Sequence, residues 1–443
     1  MPLLILALPL FVTFLQAPGA APLAPADATA RARNVLAALG AGEFAKVTDQ
    51  FDDKMKAAVP LDRLTAMWTT LLNQAGGLKD CSDPVVHAVS DKQMVITPCE
   101  FERVRLNLQI AFAADGRISG LAFRPAGAPA KPYTPPSYAD ASAYTEADIT
   151  IGSGEWTLPG TLTLPNGAGP FPALILVHGS GPNDRDETLG PNKPFADLAL
   201  GLASRGIAVL RYDKRSRAHA GKMVSSGSMT VKEEVIDDAG EAVRALRARA
   251  GIDPAKVFVA GHSLGGMLIP RIAIANPSLA GAIVLAGPAR PLEDIIVEQL
   301  RYIAMTDGVI APEEQAQIDK AAQTAAAVKA LKAADANASA NRLSNAPPSY
   351  WLDLRGYDPP AVARNLKMPL LILQGERDYQ VTMDDFARWK SALSDLKSVT
   401  VRSYPALNHL FMPGTGKILP AEYATPSHVA EEVIRDIAAW IKR

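Results

Sequence analysis

The chain has 443 residues, 48 % of them hydrophobic, and a formal net charge of -1. That length suggests two or three domains, or one large and one small, and the apolar content excludes wholesale disorder. The near-neutral balance argues against a general electrostatic grip on nucleic acid or on an anionic membrane, so neither is expected as a partner.

The chain opens on "MPLLILALPLFVTFLQAPGAAPLAPADA", which is apolar to about Leu15, then rich in Ala, Pro and Gly, and carries no charge before Asp27. This reads as a signal peptide over residues 1–21, cleaved near Ala20 or Ala21, and implies an exported, periplasmic or extracellular protein. The stretch lacks a basic n-region, which leaves an uncleaved anchor as the alternative. No later segment is long and apolar enough to span a bilayer, so no stable membrane insertion is expected after cleavage. In an exported chain the two cysteines, Cys81 and Cys99, are expected to form a disulfide, with buried thiols as the alternative. No second Cys or His pair lies at ligand spacing, so no metal site is expected.

Residues 28–125 read as a small α+β domain. A helical stretch, "ARARNVLAALGAGEFAKVTDQFDDKMKAAV", precedes alternating apolar residues with a turn at Asp115–Gly116. Residues 126–143 are rich in Pro and Ala and read as a linker. From residue 144 to 443, apolar runs alternate with amphipathic helices. The strand candidates are "PALILVHG", "GIAVLRYD", "KVFVAGHS", "GAIVLAG", "PLLILQGERD" and "SVTVRSYP". Such alternation implies a mostly parallel sheet with helices on both faces, an α/β fold. Residues 291 to about 365 interrupt the rhythm with Ala-rich helical sequence and read as a helical cap, with a peripheral helix pair as the plainer alternative.

Gly261-His262-Ser263-Leu264-Gly265 matches G-x-S-x-G between the strand "KVFVA" and the helix "GMLIPRIAIA". A serine on so sharp a turn needs glycine on either side, where a side chain would strike neighbouring backbone. The reading makes Ser263 the nucleophile. The N–H of Leu264 supplies half of an oxyanion hole, and the helix N-terminus adds a favourable field. "LILVHGSGPNDRDE" provides the second donor, the N–H of Ser180, with Gly181 as fallback. His178 is expected to pack under that loop rather than act as a base.

A serine hydroxyl needs a base, and the base an orienting carboxylate. Downstream of Ser263 the histidines are His409 and His428. His409 follows the last strand-like run and takes the role of base; His428 stands at a helix start. Asp378, in the loop after "LLILQG", is preferred as the acid over Glu376. Asp384 and Asp385 look like helix-start carboxylates. The loop "RYDKRSRAHAGK" brings Arg211, Lys214, Arg215, Arg217 and Lys222 after another strand. Arg215 is a candidate for binding anionic substrate groups, against the plainer reading of a solvated, ion-paired loop. Tyr350, Trp351 and Met305 are candidates for lining a pocket or for packing between cap and core.

The stretches "HGSGPNDRDETLGPNKPFADLALGLASRGIAVLRYDKR", "GHSLGG", "GERDYQVTMDDFARW" and "LNHLF" resemble secreted bacterial α/β-hydrolases of the esterase type, related to dienelactone hydrolases and serine aminopeptidases. The resemblance runs from about Tyr144 to the C-terminus, and the small domain ahead is similar to one fused before such hydrolases. It implies the α/β-hydrolase fold, a triad of Ser263, Asp378 and His409, no cofactor, and a small-molecule ester of short to medium acyl chain as substrate. The sequence departs from it at Ser216, where similar proteins often carry Gly. A peptidase or amidase would use the same triad, and an inactive hydrolase body would serve only to bind. The oligomeric state is not legible.

Overall fold

The computed structural model describes residues 24–89, 92–113, 115–125, 133–225, 229–338, 343–344 and 346–443. The expected signal peptide and residues 126–132 of the expected linker lie outside the described residues. The chain divides into two compact units, 1–130 and 131–443.

The first unit begins with helices Pro25–Gly40, Phe44–Thr48, Asp53–Ala58 and Leu61–Ala75. An antiparallel sheet follows, built from β1 (Leu78–Cys81), β2 (Val85–Val89), β3 (Lys92–Phe101), β4 (Arg105–Phe112) and β5 (Ile118–Pro125). The order is β1-β3-β4-β5, with β2 also paired to β3. Alternation along β4 puts Leu106, Leu108, Ile110 and Phe112 inward, where they meet Val35, Leu39 and Trp68 of the helices. Gly116 takes the left-handed conformation (φ 78°) in the turn from β4 to β5. Cys81 stands opposite Cys99 in the β1–β3 register, and the two form a disulfide.

The second unit is an eight-stranded sheet made of β6 (Tyr144–Ile151), β7 (Leu158–Pro165), β8 (Phe171–Val177), β9 (Ala208–Tyr212), β10 (Ile252–His262), β11 (Gly281–Leu285), β12 (Leu370–Gly375) and β13 (Val399–Tyr404). The order is β13-β12-β11-β10-β8-β9-β7-β6. Every pairing from β13 to β9 is parallel, while β6 and β7 close one edge antiparallel. The pleat explains how short apolar runs serve two cores. Ala173, Ile175 and Val177 of β8 face the helices Asp237–Arg247 and Leu264–Ala275, while Leu174 and Leu176 face Pro194–Ala203 and Glu431–Ile441. From Tyr133 the expected linker is already tied to this body. The Tyr133 hydroxyl donates to Asp197 at 2.8 Å, and Tyr138 donates to the carbonyl of Val429 at 2.7 Å. Between β11 and β12 the chain forms helices Leu292–Ala304, Pro312–Ala330, Pro348–Leu354 and Pro359–Ala363, with no strand among the described residues.

Candidate active site

The C-terminal ends of the central parallel strands converge on one spot. β10 runs to His262, and the helix Leu264–Ala275 starts at once, so Ser263 occupies the turn with φ 52° and ψ −119°. A non-glycine residue there costs roughly 1–3 kcal/mol and persists only where the surroundings over-determine it. The surroundings are tight. A Cβ on Gly261 would lie 2.3 Å from the carbonyl oxygen of Gly265, and one on Gly265 would lie 2.5 Å from that of Val177. The Ser263 side chain does not cap its own helix. Its backbone N–H donates to Leu285 on β11 at 2.9 Å, fixing the turn across the sheet.

β12 ends at Gly375, and Asp378 follows in the next loop. Its Oδ1 accepts from the N–H groups of Gln380 (2.7 Å) and Val381 (3.0 Å), and Oδ2 accepts from Gln374 Nε2 (3.0 Å). The same Oδ2 lies 2.6 Å from His409 Nδ1. His409 stands in the loop after β13 and is buried, as is Asp378. Asn408 shapes that loop by accepting from the N–H groups of Leu410 and Met412. With Nδ1 committed to the carboxylate, Nε2 is the nitrogen left to exchange a proton. Glu376 instead accepts from Ser403. Asp384 stands in the first turn of the helix Met383–Leu393, and Asp385, fully buried in that turn, pairs with Arg290. His428 pairs with Asp197, away from Asp378.

Ser263 and His409 are joined through the residue between Gly261 and the serine. The His262 ring packs on that of His409 at 4.6 Å between centroids, and its Nε2 is 2.9 Å from the carbonyl of His409. Its Nδ1 is 2.8 Å from Glu187 Oε2. Burial opposes charge on His262, but the Glu187 carboxylate beside it wins and raises the imidazole above its ordinary value. Burial likewise opposes the Glu187 charge, and His262 holds that carboxyl below its usual range. Each member of the pair thus favours the charged form of the other. Glu187, at φ 51°, also accepts from the N–H of Gly179 at 2.6 Å, linking this pair to the loop after β8.

That loop carries the expected second donor. Gly179 packs on the serine, since a Cβ on it would come within 3.0 Å of Ser263 Cβ. Ser180 and Gly181 are exposed, and Gly181 is left-handed (φ 92°). Among the described residues, no protein acceptor takes the N–H of Leu264 or of Ser180. His178 is fully buried between Phe195 and Tyr212, and burial pushes its imidazole down to about 4, so it is neutral and structural.

The candidate substrate contacts fare differently. The Arg215 guanidinium grips the buried carboxylate of Asp238 and lies 5.0 Å from the Trp156 ring, so an ion pair already occupies this candidate for binding anions. Tyr350 and Trp351 are buried in the core. Trp351 Nε1 donates to Leu343, and Tyr350 abuts Glu234, whose charge together with burial holds the phenol well above its ordinary range. Both are packing residues. Met305 is exposed. Sequence reasoning missed Gln374 and Glu187, and singled out Lys214 only as one cation of a basic loop. No local pattern marks Gln374 as the donor to Asp378 four residues on, and Glu187 and Lys214 meet their partners His262 and Gly179 from far along the chain. No group of His, Cys, Asp and Glu that could hold a metal is found among the described residues.

Comparison with known proteins bears on the family of the chain. Residues 191–413 match the family model described as serine aminopeptidase, S33, and residues 32–121 match one described as a protein of unknown function (DUF3887). Esterase EstD of Thermotoga maritima is 37 % identical over 398 residues, covering 90 % of this chain and 91 % of that protein. A 4-O-methyl-glucuronoyl methylesterase of Thermothelomyces thermophilus is 31 % identical over 145 residues, which is 30 % of this chain and 35 % of that one. The Pyrococcus furiosus esterase structure aligns with a TM-score of 0.42 at 16 % identity, over 71 % of this chain and 98 % of that one. On the family model and the near-full-length relative, the chain belongs to the esterase family of α/β-hydrolases that includes Esterase EstD.

Proposed function

We propose that this carboxylic ester hydrolase works through a Ser263–His409–Asp378 triad and an acyl-enzyme, on esters of short to medium acyl chain. The observation that carries the reading is the buried Asp378–His409 bond of 2.6 Å, made by Nδ1, beside a serine held at φ 52°. Ser263 Oγ attacks the acyl carbon as His409 Nε2 takes its proton. The electron pair of the carbonyl moves onto oxygen, which the N–H groups of Leu264 and Ser180 receive. Collapse of this intermediate expels the alcohol, which takes the proton from His409. Water, deprotonated by the same nitrogen, then attacks the acyl group and releases the acid and Ser263. Asp378 holds the ring in the required tautomer and stabilises its cation.

The helices between β11 and β12 act as a cap in this reading. Tyr302 of the helix Leu292–Ala304 stacks at 4.8 Å on Tyr379, the neighbour of Asp378. The Cys81–Cys99 disulfide and the apolar N-terminal stretch support export to an oxidising compartment. Because the matched family model is described as a serine aminopeptidase, amide cleavage is the second reading. Turnover of p-nitrophenyl acetate, butyrate, octanoate and palmitate, set against aminoacyl-p-nitroanilides, tests both. The proposal expects ester turnover to exceed amide turnover and to fall at palmitate. Faster amide cleavage, or a preference for palmitate, would overturn it.

A further inference from the structure

Lys214, in the loop after β9, is 2 % exposed. Its Nζ donates to the carbonyl of Gly179 at 2.8 Å and lies 3.3 Å from Glu234 Oε1. Glu234 is itself buried, in the single π turn Lys232–Ile236, with Tyr350 against it. Burying an ammonium and a carboxylate is costly unless both are paired and hydrogen-bonded, so a site that keeps them calls for an explanation.

The carbonyl that Lys214 grips belongs to the peptide whose N–H is that of Ser180. Among the described residues the only cis peptide is Gly169–Pro170, so this one is trans. In a planar trans peptide the C=O and the N–H point in opposite directions. An ammonium held beneath the carbonyl therefore turns the Ser180 N–H toward the open side of the loop, where Gly179 packs on Ser263. The charge also polarises the peptide and strengthens its N–H as a donor. Neighbouring bonds lock the same geometry. Glu187 accepts from the Gly179 N–H, the Asn183 side-chain amide donates to the carbonyls of Gly179 (3.3 Å) and Ser180 (3.1 Å), and Ser216 Oγ donates to Gly181 at 3.4 Å. The Lys214 N–H donates to Asn183 at 3.1 Å, so the lysine holds the loop at both ends.

We infer that Lys214, with Glu234 as its buried counter-ion, is a positioning residue that fixes and polarises the Gly179–Ser180 peptide so that the Ser180 N–H receives the oxyanion. The inference rests on the reading of Ser263 as nucleophile. Its consequence is specific: losing the clamp lowers stabilisation of the tetrahedral state and leaves ground-state binding alone.

The test compares Lys214→Met with the charge-balanced pair Lys214→Met/Glu234→Gln, in the full chain, on p-nitrophenyl butyrate. Affinity for a trifluoromethyl ketone, whose adduct places an oxyanion in the same hole, is measured alongside. Both variants are expected to lose about 10²-fold in kcat, the scale of one oxyanion donor, with KM nearly unchanged and ketone affinity falling in step. Recovery of kcat in the balanced variant would overturn the proposal, because Lys214 would then only neutralise Glu234. If neither variant folds, Lys214→Arg keeps the cation and displaces the donor. A kcat at least about tenfold lower at unchanged KM supports the clamp, and a wild-type kcat overturns it. Ser263→Ala in the same assays separates the two readings. If it retains wild-type turnover, both fall. If it is inactive while both Lys214 variants match the wild type, only the clamp falls.

Discussion

Asp378 and His409 show how much of the site is decided by single atoms. Gln374, Gln380 and Val381 saturate the carboxylate on every side not facing the imidazole, so Oδ2 can only orient and balance His409 Nδ1. Asp378→Asn loses the tautomer control and sets its amide Nδ2 against a buried donor, and should lower kcat by about 10⁴ at nearly unchanged KM, with a modest fall in melting temperature. A loss carried by KM rather than by kcat would contradict the orienting role. Glu187 and His262 carry a different prediction. The raised imidazole of His262 contributes stability that is complete below its unfolded value of about 6.5 and is lost as pH rises through the folded one. The depressed carboxyl of Glu187 contributes stability present above its unfolded value of about 4.5 and lost as pH falls through the folded one. Between those limits Glu187→Gln should cost about 3 kcal/mol, the scale for breaking a buried pair, and less at about pH 10. Unfolding by denaturant at two pH values checks this; a penalty that grows with pH would contradict it.

Among the elements, the strand–turn–helix around Ser263 is the least tolerant of change. Gly261→Ala and Gly265→Ala each drive a Cβ into backbone oxygen, and each should cost more than about 4 kcal/mol or abolish folding. Gly40→Ala, at a helix end with nothing within 4 Å of its Cβ, should instead gain about 0.5–1 kcal/mol. Thermal unfolding of the three variants checks the contrast. The turn was legible because its glycines, its serine and its flanking apolar runs lie together in the chain. Five inner strands, β8 to β12, were legible for the same reason, since burial on both faces leaves an unbroken apolar run. The hairpin of β6 and β7 was not singled out. Its outer strand exposes Thr145, Glu146, Ala147 and Asp148 in succession, so the edge position erases the pattern that burial would write. Tyr350 and Trp351 were read as possible pocket lining because aromatic residues suit either role. Only the packing on Glu234 and Leu343 distinguishes them.

Across the whole molecule, each unit has its own core and the residues of the candidate site come from the second alone. The disulfide closes a separation of 18 residues within the first unit, which corresponds to about 3 kcal/mol in the chain-entropy account. Reduction with dithiothreitol should therefore lower the melting temperature of the first unit and leave ester turnover at moderate temperature unchanged. Loss of turnover on reduction would contradict a site confined to the second unit. The change in texture between residues 125 and 144 is the sequence signal for a division, and the compact units divide at residue 130. The binding of Tyr133 and Tyr138 to the body was not, because an apolar Pro-rich stretch reads the same whether it spans a gap or lies along a surface. The most direct test of the account is the rate of p-nitrophenyl butyrate hydrolysis by Ser263→Ala beside the wild type, with a fluorophosphonate probe applied to both. The account predicts a fall on the order of 10⁶ in kcat with folding retained, and labelling of the wild type alone. A folded Ser263→Ala that keeps wild-type turnover, or that takes up the probe as fast as the wild type, would contradict it.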